Sequence, residues 1–190
     1  LSFPYEKRNY PKKKQILWCG RLLFSQKRPD RILWVWKKLQ DKLPDWNLVI
    51  VGDGPFSGQM RQLSERLSLE RIEFTGFKDP VPYYKESSIF CMTSNHEGFP
   101  MVLTEAMQYG CVPVAFDSFE SIHEIIEDGM NGFLVKPFDM DKYADMVLRL
   151  VDNFKVDYVM NVMNSMERLM PENVVKLWIS LFNNEMKCQL

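Results

Sequence analysis

The sequence predicts an α/β domain built on a doubly wound parallel sheet with helices on both faces, followed by a helical C-terminal segment. Short, nearly continuous apolar runs alternate with stretches of helical periodicity as far as residue 135, as strands buried on both faces of a sheet do. A strand-then-helix alternation is that of βαβ units and hence of a parallel sheet. From Asp139 the pattern is wholly helical. The 190 residues, 46% hydrophobic and 26% charged, suit one dominant core.

Residues 1–15 contain Pro4 and Pro11 with Lys7, Arg8, Lys12, Lys13 and Lys14, and read as a solvated leader or linker, with a membrane-surface role as the alternative. ILWCG (16–20) is the first strand. Ile32, Val35, Trp36, Leu39 and Leu43 then mark a helix over 29–43. LVIVG (48–52) repeats the strand, and Phe56, Met60, Leu63 and Leu67 mark a second helix before the strand IEFTG (72–76). The strands IFCMT (89–93) and VPVAF (112–116) flank a helix at about 101–109, and GFLV (132–135) is the last strand. Tyr143, Met146, Val147 and Leu150, then Val156, Val159, Met160 and Met163, give two helical stripes of core packing. Pro171 opens a final helix whose face of Val174, Leu177, Trp178, Leu181 and Phe182 is broad. The organisation is thus a leader at 1–15, a domain at 16–170 and a C-terminal helix at 171–190.

Twenty-four Lys and Arg against 25 Asp and Glu leave a net charge of −1, which gives no global field for nucleic acid. Cys19, Cys91, Cys111 and Cys188 form no CxxC, and with His96 and His123 they make no zinc pattern. Reduced thiols in a cytoplasmic protein are expected. No run approaches the ~20 apolar residues of a membrane span, and residues 1–15 lack a signal-peptide core.

Ligands of open α/β sheets bind beyond the carboxyl ends of the strands, so the residues that follow each strand are the candidates. In GRLLFSQK (20–27), Gly20 ends a strand, and Arg21 and Lys27 leave the same loop. They can clamp a diphosphate, or the loop is solvated and Arg21 pairs with a surface carboxylate. VGDGP (51–55) reads as a tight turn and lacks the third glycine of a dinucleotide motif, so no nicotinamide cofactor is expected. In SNHEGFPMVLTEAMQYGCVPVAF (94–116), Glu97 and Glu105 bracket a loop and a helix start. Pro100 suits a first helical position, which leaves the amides of Met101, Val102 and Leu103 for an anion. The Glu105 carboxylate can accept from the vicinal hydroxyls of a ribose, and Glu97 from a sugar hydroxyl. Taken alone, the glutamate pair favours a plainer reading as solvated helix-start acids.

In order, the segments GRLLFSQK, VGDGP, FTG (74–76) and EGFPMVLTEAMQYGCVPVA (97–115) resemble the C-terminal, donor-binding domain of the GT-B-fold retaining glycosyltransferases, family 4 or group 1, across residues 16–135. The resemblance implies a Rossmann-like sheet. It implies that Arg21 and Lys27 bind the diphosphate of a nucleotide sugar, foremost a UDP-sugar, without an obligatory metal. It implies further that Glu105 holds the ribose, that Glu97 and the Gly98–Phe99 backbone approach the transferred sugar, and that the base lies near Phe77. The Arg21-to-Lys27 gap is one residue longer than the commonest family form, with Arg28 as a substitute for Lys27.

Asp139 and Asp141 form a DMD triplet, read as a cap on a helix over 141–152 rather than a metal site. His123 reads as structural and His96 as an exposed loop residue.

A GT-B enzyme has two Rossmann-like domains, and this length supplies one. The expectation is therefore a donor-binding half that lacks its N-terminal acceptor domain and is inactive alone. The implied whole is a hexosyltransferase of polysaccharide or glycoconjugate synthesis, cytoplasmic or at the inner face of the membrane. Alternatives are a stand-alone nucleotide-sugar-binding module or subunit and a sugar-nucleotide 2-epimerase. The broad apolar face of the last helix predicts self-association near Trp178 and Phe182, or closure of the domain's own core.

Overall fold

In the computed structural model, which describes residues 11–187, the apolar runs form β1 (Lys13–Cys19), β2 (Asn47–Val51), β3 (Ile72–Gly76), β4 (Ser87–Met92), β5 (Val112–Phe116) and β6 (Phe133–Val135). Every pairing is parallel, in the order β3-β2-β1-β4-β5-β6. At the centre, Leu17 of β1 lies opposite Val49 of β2 and Phe90 of β4. β4 and β5 are buried along their whole length, as layers on both faces require.

The helices are α1 (Pro29–Leu39), α2 (Ser57–Arg66), α3 (Val81–Glu86), α4 (Met101–Gln108), α5 (Met140–Asp152), α6 (Val156–Ser165) and α7 (Pro171–Lys187). Trp18, Trp36, Tyr84, Phe90, Phe116 and Tyr143 are the large, fully buried side chains of the core. The predicted doubly wound α/β fold is the one observed.

Three details differ from the sequence reading. α1 stops at Leu39, because Gln40 to Leu43 turn away while Leu43 stays buried. α3 was not expected, since six residues with Pro82 show no periodicity, and Ser87 begins β4 with no loop between. β1 starts at Lys13, inside the stretch read as a solvated leader, because Lys13 and Lys14 reach past the strand end to Glu86 (2.6 Å) and Asp45 (3.1 Å).

Lys12 departs further from that reading. Its ammonium donates to the carbonyls of Tyr84 (2.9 Å) and Tyr109 (2.6 Å), and lies 3.7 Å from Cys111 Sγ. Those carbonyls end α3 and α4, where a cation is favoured, and burial lowers the lysine's pKa. Residues 1–10, with Lys7 and Arg8, and Cys188 lie outside the described residues. No helix among those described is long and apolar enough to cross a membrane.

α7 packs at its foot against the turn Glu167–Leu169. Beyond the foot, Val175, Leu177, Trp178, Ile179, Leu181 and Phe182 are exposed, Trp178 at 55%. The broad face therefore does not close the core of this domain.

Candidate functional site

Strand order reverses about β1, whose neighbours are β2 and β4, and a ligand crevice opens beyond the carboxyl ends at such a point. The loops after β1 and β2 press together there. Gly20 and Leu22 donate their amides to the carbonyls of Val51 and Asp53, both at 3.0 Å. A Cβ on Gly52 would lie 1.9 Å from the Gly20 carbonyl oxygen, and one on Gly54 would lie 2.6 Å from that of Leu22. The VGDGP glycines thus serve contact between two loops. Asp53 accepts from Ser57 Oγ and from the Gly54 amide, and these bonds lower its pKa.

Beside these loops is a cleft of about 410 Å³, lined by Cys19, Gly20, Arg21, Gly52, Phe77 and Lys78 among others. Arg21 and Lys78 are exposed and make no ion pair with the described residues. Phe77 projects at the rim, 88% exposed.

The loop after β4 is zipped to the loop after β1. Asn95 donates its amide to the Gln26 carbonyl (2.7 Å) and its Nδ2 to the Ser25 carbonyl (3.0 Å). Thr93 Oγ1 accepts from Trp18 Nε1 (3.0 Å) and donates to the Arg28 carbonyl (2.9 Å). Glu97 is enclosed by this arrangement. Its Oε1 accepts from Lys27 Nζ and Ser94 Oγ, both at 2.7 Å, and its Oε2 accepts from Gln26 Nε2 at 3.0 Å. The two residues expected to meet different parts of a donor are therefore each other's partner.

Arg28, the expected substitute for Lys27, has its guanidinium in a bidentate pair with Asp30 at 2.9 and 2.7 Å. The anion cradle at the start of α4 also needs correcting. Pro100 is the N-cap rather than the first helical residue. Met101 and Leu103 donate their amides to the carbonyls of Phe99 (3.0 Å) and Pro100 (2.9 Å), which leaves Val102. The loop itself stays open, since a Cβ on Gly98 would meet nothing within 4 Å and Phe99 is exposed.

Glu105 lies one turn into α4. Its Oε2 accepts from the Tyr84 hydroxyl at 3.1 Å, and that hydroxyl is 3.6 Å from Cys19 Sγ. Burial raises the Glu105 pKa, partly offset by the Tyr84 bond. Burial also pushes the Cys19 thiol up to about 11. Glu105 lines a second cleft, of about 260 Å³, between α4 and the foot of α7, with Phe99, Gln108, Met170 and Val174. Cys19 lines the first cleft, so Tyr84 stands between the two.

Gln26, Ser94, Lys78 and Tyr84 were not singled out in the sequence. Gln26 falls within the lengthened Arg21-to-Lys27 stretch, which was a signal. Tyr84 sits on the unexpected helix and gave none. Asp139 caps α5 by accepting from the Lys142 amide at 3.0 Å. His123 Nε2 is 2.9 Å from Asp117 Oδ1, and His96 is exposed. Among the described residues no three His, Cys, Asp or Glu gather in a way that would hold a metal ion.

Fold and clefts together define a Rossmann-like α/β domain with ligand space at its strand switch point. Residues 3–161 match the family model of the glycosyl transferases group 1, and the chain belongs to that family. It is 36% identical over 162 residues to an uncharacterized glycosyltransferase of Haemophilus influenzae, covering 84% of this chain and 45% of that protein. The chain thus spans about half the length of this curated relative. It is similar to the C-terminal domain of the group 1 glycosyl transferase LpcC of Francisella tularensis, with a TM-score of 0.71 and 28% identity over 82% of this chain and 85% of that one. Staphylococcus aureus TarM shares the fold, with a TM-score of 0.83 and 24% identity over 93% of this chain and 36% of TarM.

Proposed function

We propose that this domain binds a UDP-sugar and forms the donor half of a retaining hexosyltransferase of polysaccharide or glycoconjugate synthesis. The acceptor site then lies in the part of its relatives' length that this chain does not span. The observation that carries the reading is the pair of cations, Arg21 and Lys78, which make no ion pair with the described residues and stand at the mouth of the 410 Å³ cleft beyond β1, β2 and β3. Support comes from the TarM crystal structure, which holds UDP together with alpha-GlcNAc-glycerol.

Arg21 meets the diphosphate in bidentate fashion. The Lys27 ammonium has three N–H donors, of which Glu97 Oε1 takes one, so it can also reach a phosphate oxygen. The base packs on Phe77 at the rim. Glu105 accepts from the ribose. Glu97 keeps one open lone pair on Oε2, and it lies with the Gly98–Phe99 backbone where the transferred sugar would sit. As the glycosidic bond breaks, charge builds on the departing diphosphate, and the cations at the mouth of the cleft stabilise it.

Calorimetry of the chain with UDP and with uridine tests this. Arg21→Ala weakens UDP about 10- to 150-fold, as loss of a charge-assisted bond worth ~1.5–3 kcal/mol requires, and spares uridine. Equal losses for both ligands overturn the assignment. The chain alone transfers no sugar; robust transfer by it would refute the division into halves.

A further inference from the structure

We propose that Tyr84 is a positioning residue that aims the Glu105 carboxylate at the ribose, an inference that rests on the ribose role proposed for Glu105. Geometry supports it. The Tyr84 side chain is fully buried, with its ring stacked 6.1 Å from that of Tyr109 and set edge-on 6.3 Å from that of Phe90. Its main chain is fixed as well, since the Tyr84 carbonyl accepts from Lys12 Nζ at 2.9 Å and from Cys111 Sγ at 3.0 Å. The phenol therefore has one orientation. From it the hydroxyl reaches Glu105 Oε2 at 3.1 Å, with Cys19 Sγ as the weaker neighbour at 3.6 Å.

The consequence for Glu105 is specific. A carboxylate has about four acceptor positions. Tyr84 takes one on Oε2, which leaves the whole of Oε1 and one lone pair of Oε2 for two vicinal hydroxyls. Without that anchor, the carboxylate, which already lines the second cleft, can turn away from Cys19 towards Gln108 and Val174. The anchored carboxylate instead stays between the second cleft, which it lines, and Cys19, which lines the first.

The same bond favours the charged carboxylate against its burial. Cys19 from β1 and Tyr84 from α3 are the titratable groups facing Glu105, and both have raised pKa values and stay neutral in the acid range. Across the second cleft, Leu169, Met170, Pro171 and Val174 contribute no charge. Glu105 alone of this group therefore titrates on the acid side.

The test is calorimetry of UDP and 2′,3′-dideoxy-UDP against the chain and its variants, from pH 4.5 to 8. Tyr84→Phe is expected to weaken UDP about 2- to 10-fold, the range of one hydrogen bond, and to leave the dideoxy analogue unchanged. The acid limb of UDP binding should move to higher pH. Equal losses for the two ligands, or an unmoved acid limb, overturn the proposal. Tyr84→3-fluorotyrosine keeps the ring and sharpens the donor without threatening the fold. It should raise the preference for UDP over the analogue, and an unchanged preference overturns the proposal too. Glu105→Gln separates the two readings: if it weakens UDP and the analogue alike, the ribose role itself falls. If it is ribose-selective while both Tyr84 variants are silent, only the role of Tyr84 falls.

Discussion

Lys27 Nζ and Glu97 Oε1 meet at 2.7 Å, with 18% and 6% of their side chains exposed, so that a cation from the β1 loop and an anion from the β4 loop form one desolvated unit. Gln26 and Ser94 complete it with neutral donors to the same carboxylate. A pair this enclosed stabilises little relative to apolar packing, yet breaking it from one side strands a buried charge.

Lys27→Met is therefore expected to destabilise the domain by ~3–5 kcal/mol, because Glu97 keeps only neutral partners. Lys27→Met with Glu97→Gln should recover most of that loss, since no charge is then left stranded. Urea unfolding of the four members of the double-mutant cycle measures the coupling. Additive single effects would mean that water reaches the pair freely.

The two glycines on either side of the crevice should respond in opposite ways. At Gly52 a Cβ would overlap the Gly20 carbonyl oxygen at 1.9 Å, and φ is +134, so backbone has to move and a strained dihedral has to be held. Gly52→Ala should cost at least ~3 kcal/mol, combining overpacking with backbone strain. Gly98→Ala meets open space and should stay within about 0.5 kcal/mol of the parent. Comparable thermal shifts for the two would contradict the loop packing described above.

Much of the sheet was legible because strands buried on both faces leave continuous apolar runs, and LVIVG and VPVAF are such runs. The reversal of strand order was implied by the predicted class. α3 was hidden because six residues are too few for a 3.6-residue period to show. Of the site, the positions of Arg21, Lys27 and Glu97 in loops that follow strands, and of Glu105 one turn into the next helix, could be read from the sequence pattern. The pairing of Lys27 with Glu97 could not, because it depends on how two loops seventy residues apart zip together. Lys12 was misread because a lysine beside other lysines looks solvated. Only the fold reveals that two helix ends converge on its ammonium.

Alkaline pH should destabilise the domain. Burial pushes the Cys19 thiol up to about 11 and that of Cys91 to about 12, and it raises Cys111, Tyr84 and Tyr143 as well. Between an unfolded thiol pKa near 8.5 and these values, the folded state holds protons that the unfolded state has lost, so stability falls as pH rises. The slope is ~1.4 kcal/mol per pH unit for each group fully within its window. Lys12 acts in the opposite sense, because its folded pKa is lowered, but between pH 8 and 10 it is one group against three buried thiols. Denaturant unfolding under reducing conditions at pH 8 and 10 should show the loss, and Cys91→Val should remove one group's share. Constant stability across that range would contradict the burial of these groups.

The last prediction concerns α7. Scattered exposed apolar side chains are ordinary on a monomer, but here Val175, Leu177, Trp178, Ile179, Leu181 and Phe182 are all exposed along two turns. Trp178 and Phe182 already stack on each other at 5.8 Å, which gives the face a preformed aromatic ridge. Burying each of these rings gains about 1.5–3 kcal/mol. Two copies that exchange them recover some 6–12 kcal/mol against an association cost of ~4–15 kcal/mol, so contact through this face should be weak, about micromolar at its tightest. The 190-residue chain is accordingly expected to self-associate as its concentration rises, in sedimentation velocity runs from low micromolar upward. Trp178→Lys with Phe182→Lys should hold it monomeric without lowering its melting temperature, because these side chains contribute little to their own domain's core. A wild-type chain that stays monomeric throughout, or a double variant that associates as before, would show that the exposed face of α7 does not drive contact between copies.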